Sequence, residues 1–238
     1  MQGWIHSFES LAAVDGEGLR CAVFLAGCPL RCVYCHNPDT WERERGVATD
    51  AVSLARKIAR YKPYFGAEGG VTFSGGEPLL QADFLREMIP LLRELEIGYI
   101  VDTSGGVPLT ESVREVLAEA QGVLLDLKFA NDEDYRRYTG WSIRPVLDTL
   151  SYLESIGKRT RIRTVIVPGL NEEESLLDDY VAQIKLFSCV YRYELLGFHT
   201  MGFFKYREKG IENPLADTPA LSGDRLAQLQ AYVNEKMK

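Results

Sequence analysis

The chain has 238 residues and a formal net charge of −7, which argues against the positive surface that general nucleic-acid binding needs. Hydrophobic residues make up 46% of it, enough for one domain over residues 1–238, and no apolar run is long enough to cross a bilayer. The N-terminus lacks the basic and apolar regions of a signal peptide. We therefore expect a monomeric cytoplasmic protein without nucleic-acid or membrane partners.

The first predicted elements are strands. Residues 4–10 alternate in places like an edge strand, and residues 21–27 form an apolar run typical of a strand buried on both faces. Further strands are predicted at residues 70–74, 98–102, 123–126, 161–167 and 190–196. Helices are predicted at residues 49–61, 81–95, 110–120, 132–139, 143–156, 172–187 and 222–236.

The first helix is predicted to begin at Thr49 as N-cap, and residues 197–221 to be irregular. Strand and helix alternate about six times, which indicates βαβ units with right-handed crossovers. A closed barrel needs eight units and about 250 residues. The sequence therefore predicts an α/β fold, an incomplete (β/α)6 barrel of TIM type. Its open side, flanked by residues 197–238, is wide enough for a bulky partner.

Three of the five cysteines lie in residues 27–37, the cysteine loop, which follows the first buried strand. Cys28, Cys32 and Cys35 suit an iron–sulfur cluster held by three thiolates, which leaves one iron open to a ligand that is not protein. Structural zinc with His36 as fourth ligand is disfavoured, because neighbouring residues cannot easily face one tetrahedral ion. Disulfides are disfavoured by the odd number of cysteines.

The other two cysteines, Cys21 and Cys189, lie away from this loop and are interpreted as buried packing residues.

Unusual polar residues follow the predicted strands. Gly75, Gly76 and Glu77 come after the strand at residues 70–74, which is the second of the six strands of the predicted barrel. The glycines allow close approach of the backbone to a ligand, and the Glu77 carboxylate suits an ammonium group. The alternative is a tight turn with an exposed glutamate.

Charged residues follow the third and fourth strands. Asp102, Asp126 and Lys128 indicate neighbours of a charged ligand, or a bound cation linking the two acids, or an ordinary ion pair. Arg163 lies inside the fifth strand and points either inward to an anion or outward to solvent. His199 follows the sixth strand, at the same rim.

The spacing Cys28-x-x-x-Cys32-x-x-Cys35, with Tyr34 before the last cysteine, resembles the signature of the radical S-adenosylmethionine (SAM) superfamily. The Gly75-Gly76-Glu77 loop matches its second motif. Other stretches resemble the pyruvate formate-lyase activating enzymes, a family of glycyl radical enzyme activases. These stretches are residues 6–10, 14–20, 34–37, 102–103, 125–128, 167–169 and 198–202.

The resemblance implies a 4Fe–4S cluster and SAM as cofactors. The reduced cluster would cleave SAM to a 5′-deoxyadenosyl radical, which takes a hydrogen atom from a glycine of pyruvate formate-lyase. It also implies a flavodoxin- or ferredoxin-type electron donor.

The resemblance further implies which residues hold these groups. The cluster ligands are Cys28, Cys32 and Cys35, and a monovalent cation is implied at Asp102, Thr103 and Asp126. The residues implied to contact SAM are Tyr34, Cys35, His36, Gly75, Gly76, Glu77, Asp126, Leu127, Lys128, Arg163 and His199.

The sequence also departs from relatives. It lacks the cysteine-rich insert that many relatives with other partners carry after the first motif, which favours the pyruvate formate-lyase type. Gly197 and Phe198 replace an expected Pro-Tyr, so residues 203–221 are expected to fit the partner differently. The alternatives are an activase of another glycyl radical enzyme, and a non-catalytic iron–sulfur or zinc redox sensor.

Overall fold

The computed structural model describes residues 1–13 and 15–238, and within these ranges the chain forms eight strands and eight α-helices. The strands are β1 (Gln2–Ala12), β2 (Arg20–Leu25), β3 (Val47–Asp50), β4 (Gly70–Gly75), β5 (Tyr99–Thr103), β6 (Gly122–Asp126), β7 (Thr160–Ile166) and β8 (Val190–Gly197). The helices are α1 (Ala51–Ala59), α2 (Ala82–Glu94), α3 (Glu111–Glu119), α4 (Asp132–Thr139), α5 (Arg144–Ser155), α6 (Glu174–Ile184), α7 (Phe203–Lys209) and α8 (Gly223–Met237).

All eight strands belong to one sheet in the order β3-β1-β2-β4-β5-β6-β7-β8. The six strands β2 and β4 to β8 are parallel, while β1 pairs antiparallel with both β2 and β3. Over the described residues no strand pairing closes the sheet between β8 and β2. The prediction of an incomplete (β/α)6 barrel is confirmed.

The central parallel strands are largely apolar because helices cover one face and the barrel interior the other. In β2, Ala22, Val23 and Leu25 are wholly buried. Helix α2 contributes a buried stripe at helical spacing, with Leu85, Met88 and Leu92 on its inner face. Because the six strands are parallel, their carboxyl ends lie at one rim of the barrel.

The N-terminal part differs from the prediction. Strand β1 is not at the edge, because β3 pairs with it and takes that place. Thr49 lies within β3, opposite Gly3, so it does not cap the first helix. Asp50 does so instead, and its side chain accepts a hydrogen bond from the Ser53 backbone N–H at 2.9 Å.

The C-terminal part also differs. Residues 203–209 form helix α7 inside the segment predicted to be irregular. Helix α8 lies against β8, where the side-chain amide of Gln230 acts like a strand partner. It accepts from Leu195 N at 2.8 Å and donates to Tyr193 O at 3.1 Å. Backbone groups at the sheet edge are thereby partly satisfied.

Across the part of the chain that the structure describes, no helix is both long and apolar enough to span a membrane.

Candidate active site

The cysteine loop leaves the carboxyl end of β2 and lines a cavity in the barrel, about 320 Å³ in volume. Cys28, Cys32 and Cys35 all face this cavity. The loop begins with Gly27, whose positive φ of +100° favours glycine and whose N–H donates to Thr40 O at 2.7 Å.

Helix α4 anchors the middle of the loop. The backbone N–H of Arg31 donates to Thr139 O at 2.7 Å, and that of Val33 donates to Tyr138 O at 2.9 Å. The Arg31 guanidinium also donates to Cys28 O at 2.7 Å. The backbone of the loop that carries the three cysteines is therefore hydrogen-bonded to Thr40 at its start and to the end of α4 in its middle.

The three thiols fit a cluster better than a single ion. All are free, and burial raises the pKa of Cys28 and of Cys32 to about 12. Such thiols become thiolates when a metal binds them. Within residues 1–13 and 15–238, no three His, Cys, Asp or Glu side chains converge as a single-ion site requires. Three thiols that line one cavity suit a cluster held by three thiolates.

The loop of Gly75, Gly76 and Glu77 is hydrogen-bonded to the end of β2 and the start of the cysteine loop. Gly76 N donates to Leu25 O at 2.9 Å, and Glu77 N donates to Gly27 O at 2.8 Å. Gly75 has a φ of +116°, and a Cβ on Gly76 would lie 2.3 Å from Gly27 O. Both glycines line the cavity. Beyond ligand access, the reason predicted for them, they are required because the two loops touch through their backbones.

Glu77 does not line the cavity, contrary to the prediction that its carboxylate faces a ligand. Its side chain is wholly buried and accepts four hydrogen bonds. Two come from Ser104, through N at 2.8 Å and Oγ at 2.5 Å, and the others from Thr103 Oγ1 at 2.6 Å and Leu79 N at 3.0 Å. Glu77 therefore links the loop after β4 to the carboxyl end of β5 through hydrogen bonds.

The charged residues at the carboxyl ends of β5 and β6 meet Arg163 of β7. Its guanidinium donates to Asp126 Oδ1 at 2.7 and 2.9 Å, from two nitrogens, and also pairs with Asp102. The Lys128 ammonium contacts Asp126 Oδ2 at 2.8 Å. Of the predicted orientations of Arg163, the inward one is observed, with only 12% of the side chain exposed.

The predicted monovalent-cation site at Asp102, Thr103 and Asp126 stays a prediction. In the structure the guanidinium of Arg163 lies between Asp102 and Asp126. The third predicted ligand, Thr103, donates its hydroxyl proton to Glu77. The two carboxylates are therefore neutralised by the protein itself.

The pKa values of Asp102 and Asp126 shift in opposite directions. Burial raises the pKa of Asp102, although Arg163 opposes that shift. Burial also acts on Asp126, but Arg163 and Lys128 outweigh it and hold its pKa to about 2. Asp126 in turn raises the pKa of Lys128 against the effect of burial. Lys128 is thus a fixed positive charge at the rim.

Two histidines stack above the cavity. The rings of His36 and His199 have centroids 3.8 Å apart, and His36 Nε2 lies 3.1 Å from His199 O. Burial and the neighbouring His199 lower the pKa of His36 to about 4. His36 and Tyr34 line the cavity, whereas His199 stacks on the ring of His36 and does not line it.

His199 Nδ1 is buried and has no hydrogen-bond partner in the described chain.

Of the other predicted residues, Leu127 does not reach the cavity. Side chains alternate in direction along this extended segment, so that Asp126 and Lys128 line the cavity while Leu127 is buried in the apolar core.

Asp15 lines the cavity but was missed as a site residue. Burial raises its pKa, and the negative charge of Asp102 adds to that effect. An acid directly before a glycine turn that leads into the first barrel strand was the available signal.

Comparisons with known proteins show what this chain is similar to. The family model described as "Radical SAM superfamily" matches residues 23–179. A "Pyruvate formate-lyase-activating enzyme" of Clostridium pasteurianum is 41% identical over 240 residues, covering 100% of both chains. Another of that name, from Streptococcus mutans, is 39% identical and covers 94% of this chain and 88% of its own.

Solved structures share the fold. Streptococcus suis SuiB bound to its precursor peptide SuiA superposes with a TM-score of 0.62 at 21% identity, covering 87% of this chain and 43% of its own. A domain of a pyruvate-formate lyase-activating enzyme from Bacteroides vulgatus has a TM-score of 0.57 at 20% identity, covering 71% and 94%.

The chain therefore belongs to the radical SAM superfamily and, within it, to the family of pyruvate formate-lyase-activating enzymes. It is an enzyme whose cofactors are those of the superfamily, a 4Fe–4S cluster and SAM.

Proposed function

We propose that this enzyme activates pyruvate formate-lyase by forming a radical on a glycine of that partner. One observation carries the proposal: three free thiols and charged residues from β5, β6 and β7 and the loop after β6 line one cavity. Identity of 41% over the full length to an activating enzyme supports the choice of partner.

The cysteine loop would hold the cluster through Cys28, Cys32 and Cys35. When bound, the cluster and SAM supply one-electron chemistry that yields an adenosyl radical able to abstract hydrogen. The chain's own residues bind, orient and shield these groups. The backbone ties of the loop to Thr139 and Thr40 keep the three thiols in one place.

Lys128 is proposed to bind the carboxylate of SAM. Its ammonium has three N–H donors and contacts one protein acceptor, Asp126. Arg163 holds Asp126 from the other side, so the lysine is positioned before any ligand binds. Cavity-lining Tyr34 and His36 would pack beside the cofactor, and the unpartnered His199 Nδ1 would take one of its polar atoms.

We also propose that residues 1–238 act as one domain and as a monomer. The one electron per cycle would come from a flavodoxin- or ferredoxin-type donor. The oligomeric state is tested by sedimentation. The electron donor, which the family resemblance implies, is tested by donor-dependent turnover.

The test is anaerobic reconstitution followed by three measurements. We expect about four irons per chain, reductive cleavage of SAM to 5′-deoxyadenosine, and a glycyl radical signal when pyruvate formate-lyase is added. Cys35→Ala should abolish all three, whereas Cys189→Ala, outside the cavity, should retain them.

Each alternative has its own outcome. Cleavage of SAM with a radical only in a different glycyl radical enzyme would reassign the partner. A cluster without SAM cleavage would indicate a redox sensor and overturn the proposal.

A further inference from the structure

The start of the cysteine loop carries a group of side chains on its solvent side. Arg31 and Arg43 are exposed there, together with the half-buried Trp41 and with Leu80, which is 48% exposed. Arg31, Arg43 and Leu80 do not line the cavity. We call these four residues the outer face.

Two members of the outer face contact Cys28. Arg31 Nη1 donates to Cys28 O at 2.7 Å, and the backbone N–H of Cys28 donates to Trp41 O at 3.2 Å. The Arg31 guanidinium also lies over the Trp41 ring, 4.9 Å from its centroid. Because Trp41 also lines the cavity, it connects the outer face to the space that the three thiols share.

The other two members lie against Gly27, the first residue of the loop. A Cβ on Gly27 would lie 3.6 Å from Arg43 Cβ and 3.6 Å from Leu80 Cδ1. The outer face therefore combines two guanidiniums, an indole and an exposed leucine directly on residues 27 and 28. Aromatic residues and arginine are enriched where proteins bind one another, and charged rims surround apolar centres there.

The charge of this region is opposite in sign to the charge of the chain. The outer face, residues 42–45 and Lys209 supply four cations and two carboxylates, which are Arg31, Arg43, Arg45, Lys209, Glu42 and Glu44. Within the described residues, Glu42 pairs with Arg45 and Lys209, and Asp39 pairs with Lys205, so that the two arginines of the outer face have no carboxylate partner. On a chain of net charge −7, such a patch attracts a partner with an acidic surface.

We propose that the outer face docks the one-electron donor of this enzyme, an acidic protein that exposes its redox group; this rests on the proposed function. The cavity side of the cysteine loop would hold SAM and receive the glycine of the other partner, so a donor needs the solvent side. One electron moves: the donor is oxidised by one electron and the cluster is reduced by one, with no proton or leaving group transferred. The arginines speed the encounter, while Leu80 and Trp41 supply apolar contact.

The experiment measures how fast reduced flavodoxin, an acidic one-electron donor, reduces the anaerobically reconstituted enzyme in a stopped-flow instrument. Neither SAM nor pyruvate formate-lyase is present. The variants are Arg43→Glu, Arg43→Lys and Leu80→Gln. Arg60→Glu is the matched control, because Arg60 is an exposed arginine at the end of α1, a helix that packs on α2 and β3.

Three further measurements accompany each variant. Iron per chain is determined, calorimetry gives the Kd for oxidised flavodoxin, and photoreduced 5-deazariboflavin serves as a small uncharged reductant. The last of these reports on the cluster without a docked protein.

We expect Arg43→Glu to lower the bimolecular rate constant about tenfold at about 50 mM salt and only about twofold at about 500 mM, because salt screens the charges. The Kd should rise by a similar factor at low salt, whereas Arg43→Lys should stay within about twofold of the wild type. Leu80→Gln should lose about threefold at both salt concentrations, because an apolar contact is not screened. Iron per chain and reduction by deazariboflavin should match the wild type.

The outcomes are separable. Equal flavodoxin rates in Arg43→Glu and the wild type at low salt, or an equal loss in Arg60→Glu, would overturn the proposal. So would a wild-type cluster that deazariboflavin reduces and flavodoxin does not. The proposed function fails in a different measurement, if the deazariboflavin-reduced wild type cleaves SAM but forms no radical in pyruvate formate-lyase.

Discussion

Replacing Glu77 by Gln keeps the shape of a buried side chain and removes its charge. Each carboxylate oxygen of Glu77 accepts from one backbone N–H, Oε1 from Leu79 and Oε2 from Ser104. A hydroxyl can rotate to accept from an amide, but a backbone N–H cannot. Either orientation of the Gln amide therefore points its NH2 group at a fixed donor.

The magnitude follows from these contacts. One buried backbone N–H loses its partner, and the remaining bonds lose their charge assistance, which together cost about 3 to 5 kcal/mol. Burial raises the pKa of Glu77, so loss of the charge also relieves some desolvation. We therefore expect the lower end, about 3 kcal/mol, or a fall in Tm of about 6 to 12 °C for a chain of this size.

The assay is thermal unfolding followed by circular dichroism under anaerobic conditions near neutral pH. Ser104→Ala removes one hydroxyl donor but keeps the Ser104 backbone bond, so it should cost about 1 kcal/mol. Glu94 is an exposed acid at the end of α2, and the control Glu94→Gln should change stability by less than about 0.5 kcal/mol. A fall in Tm for Glu77→Gln no larger than that for Ser104→Ala would refute the reasoning.

Three further changes test the site and its support. Gly76→Ala places a Cβ 2.3 Å from Gly27 O and should cost about 1 to 3 kcal/mol; iron bound per chain should fall, and normal loading would contradict the contact between the loops. Arg163→Gln leaves the buried Asp102 without its positive partner, while Asp126 keeps Lys128, and it should cost about 3 to 5 kcal/mol, less when Asp102→Asn is added, as measured by urea unfolding. Burial already raises the pKa of Asp102, so protonation favours the folded state and this loss should be smaller at about pH 5 than at about pH 8; a loss independent of pH would count against it. Gln230→Ala removes two bonds at the β8 edge and should cost about 1 to 2 kcal/mol; faster hydrogen exchange at the Leu195 amide is the readout, and unchanged protection would show that the edge does not depend on this side chain.

The barrel could be predicted because its parallel strands are buried on both faces. Such strands tend to be apolar runs, as in β2 and β6, and the helices between them must carry apolar stripes. The same local patterns failed for β3, which is short and largely exposed. Its existence depends on pairing with β1 more than forty residues away, a contact that no local pattern encodes.

Glu77 and Leu127 show a second limit. The family resemblance implied that both contact a ligand, yet Glu77 is buried among Thr103, Ser104 and Leu79, and Leu127 packs in the core. Proximity along the chain does not determine which way a side chain faces. Only the packing of neighbouring strand ends decides it.

What the sequence alone determined is the covalent spacing of Cys28, Cys32 and Cys35 and the alternation of strand and helix, because both are local. The tertiary structure decided how charges separated by tens of residues meet. It brought Arg163 between Asp102 and Asp126, and Glu17 against Arg161. These contacts join residues on or beside different strands of one sheet, so they exist only once the barrel has formed.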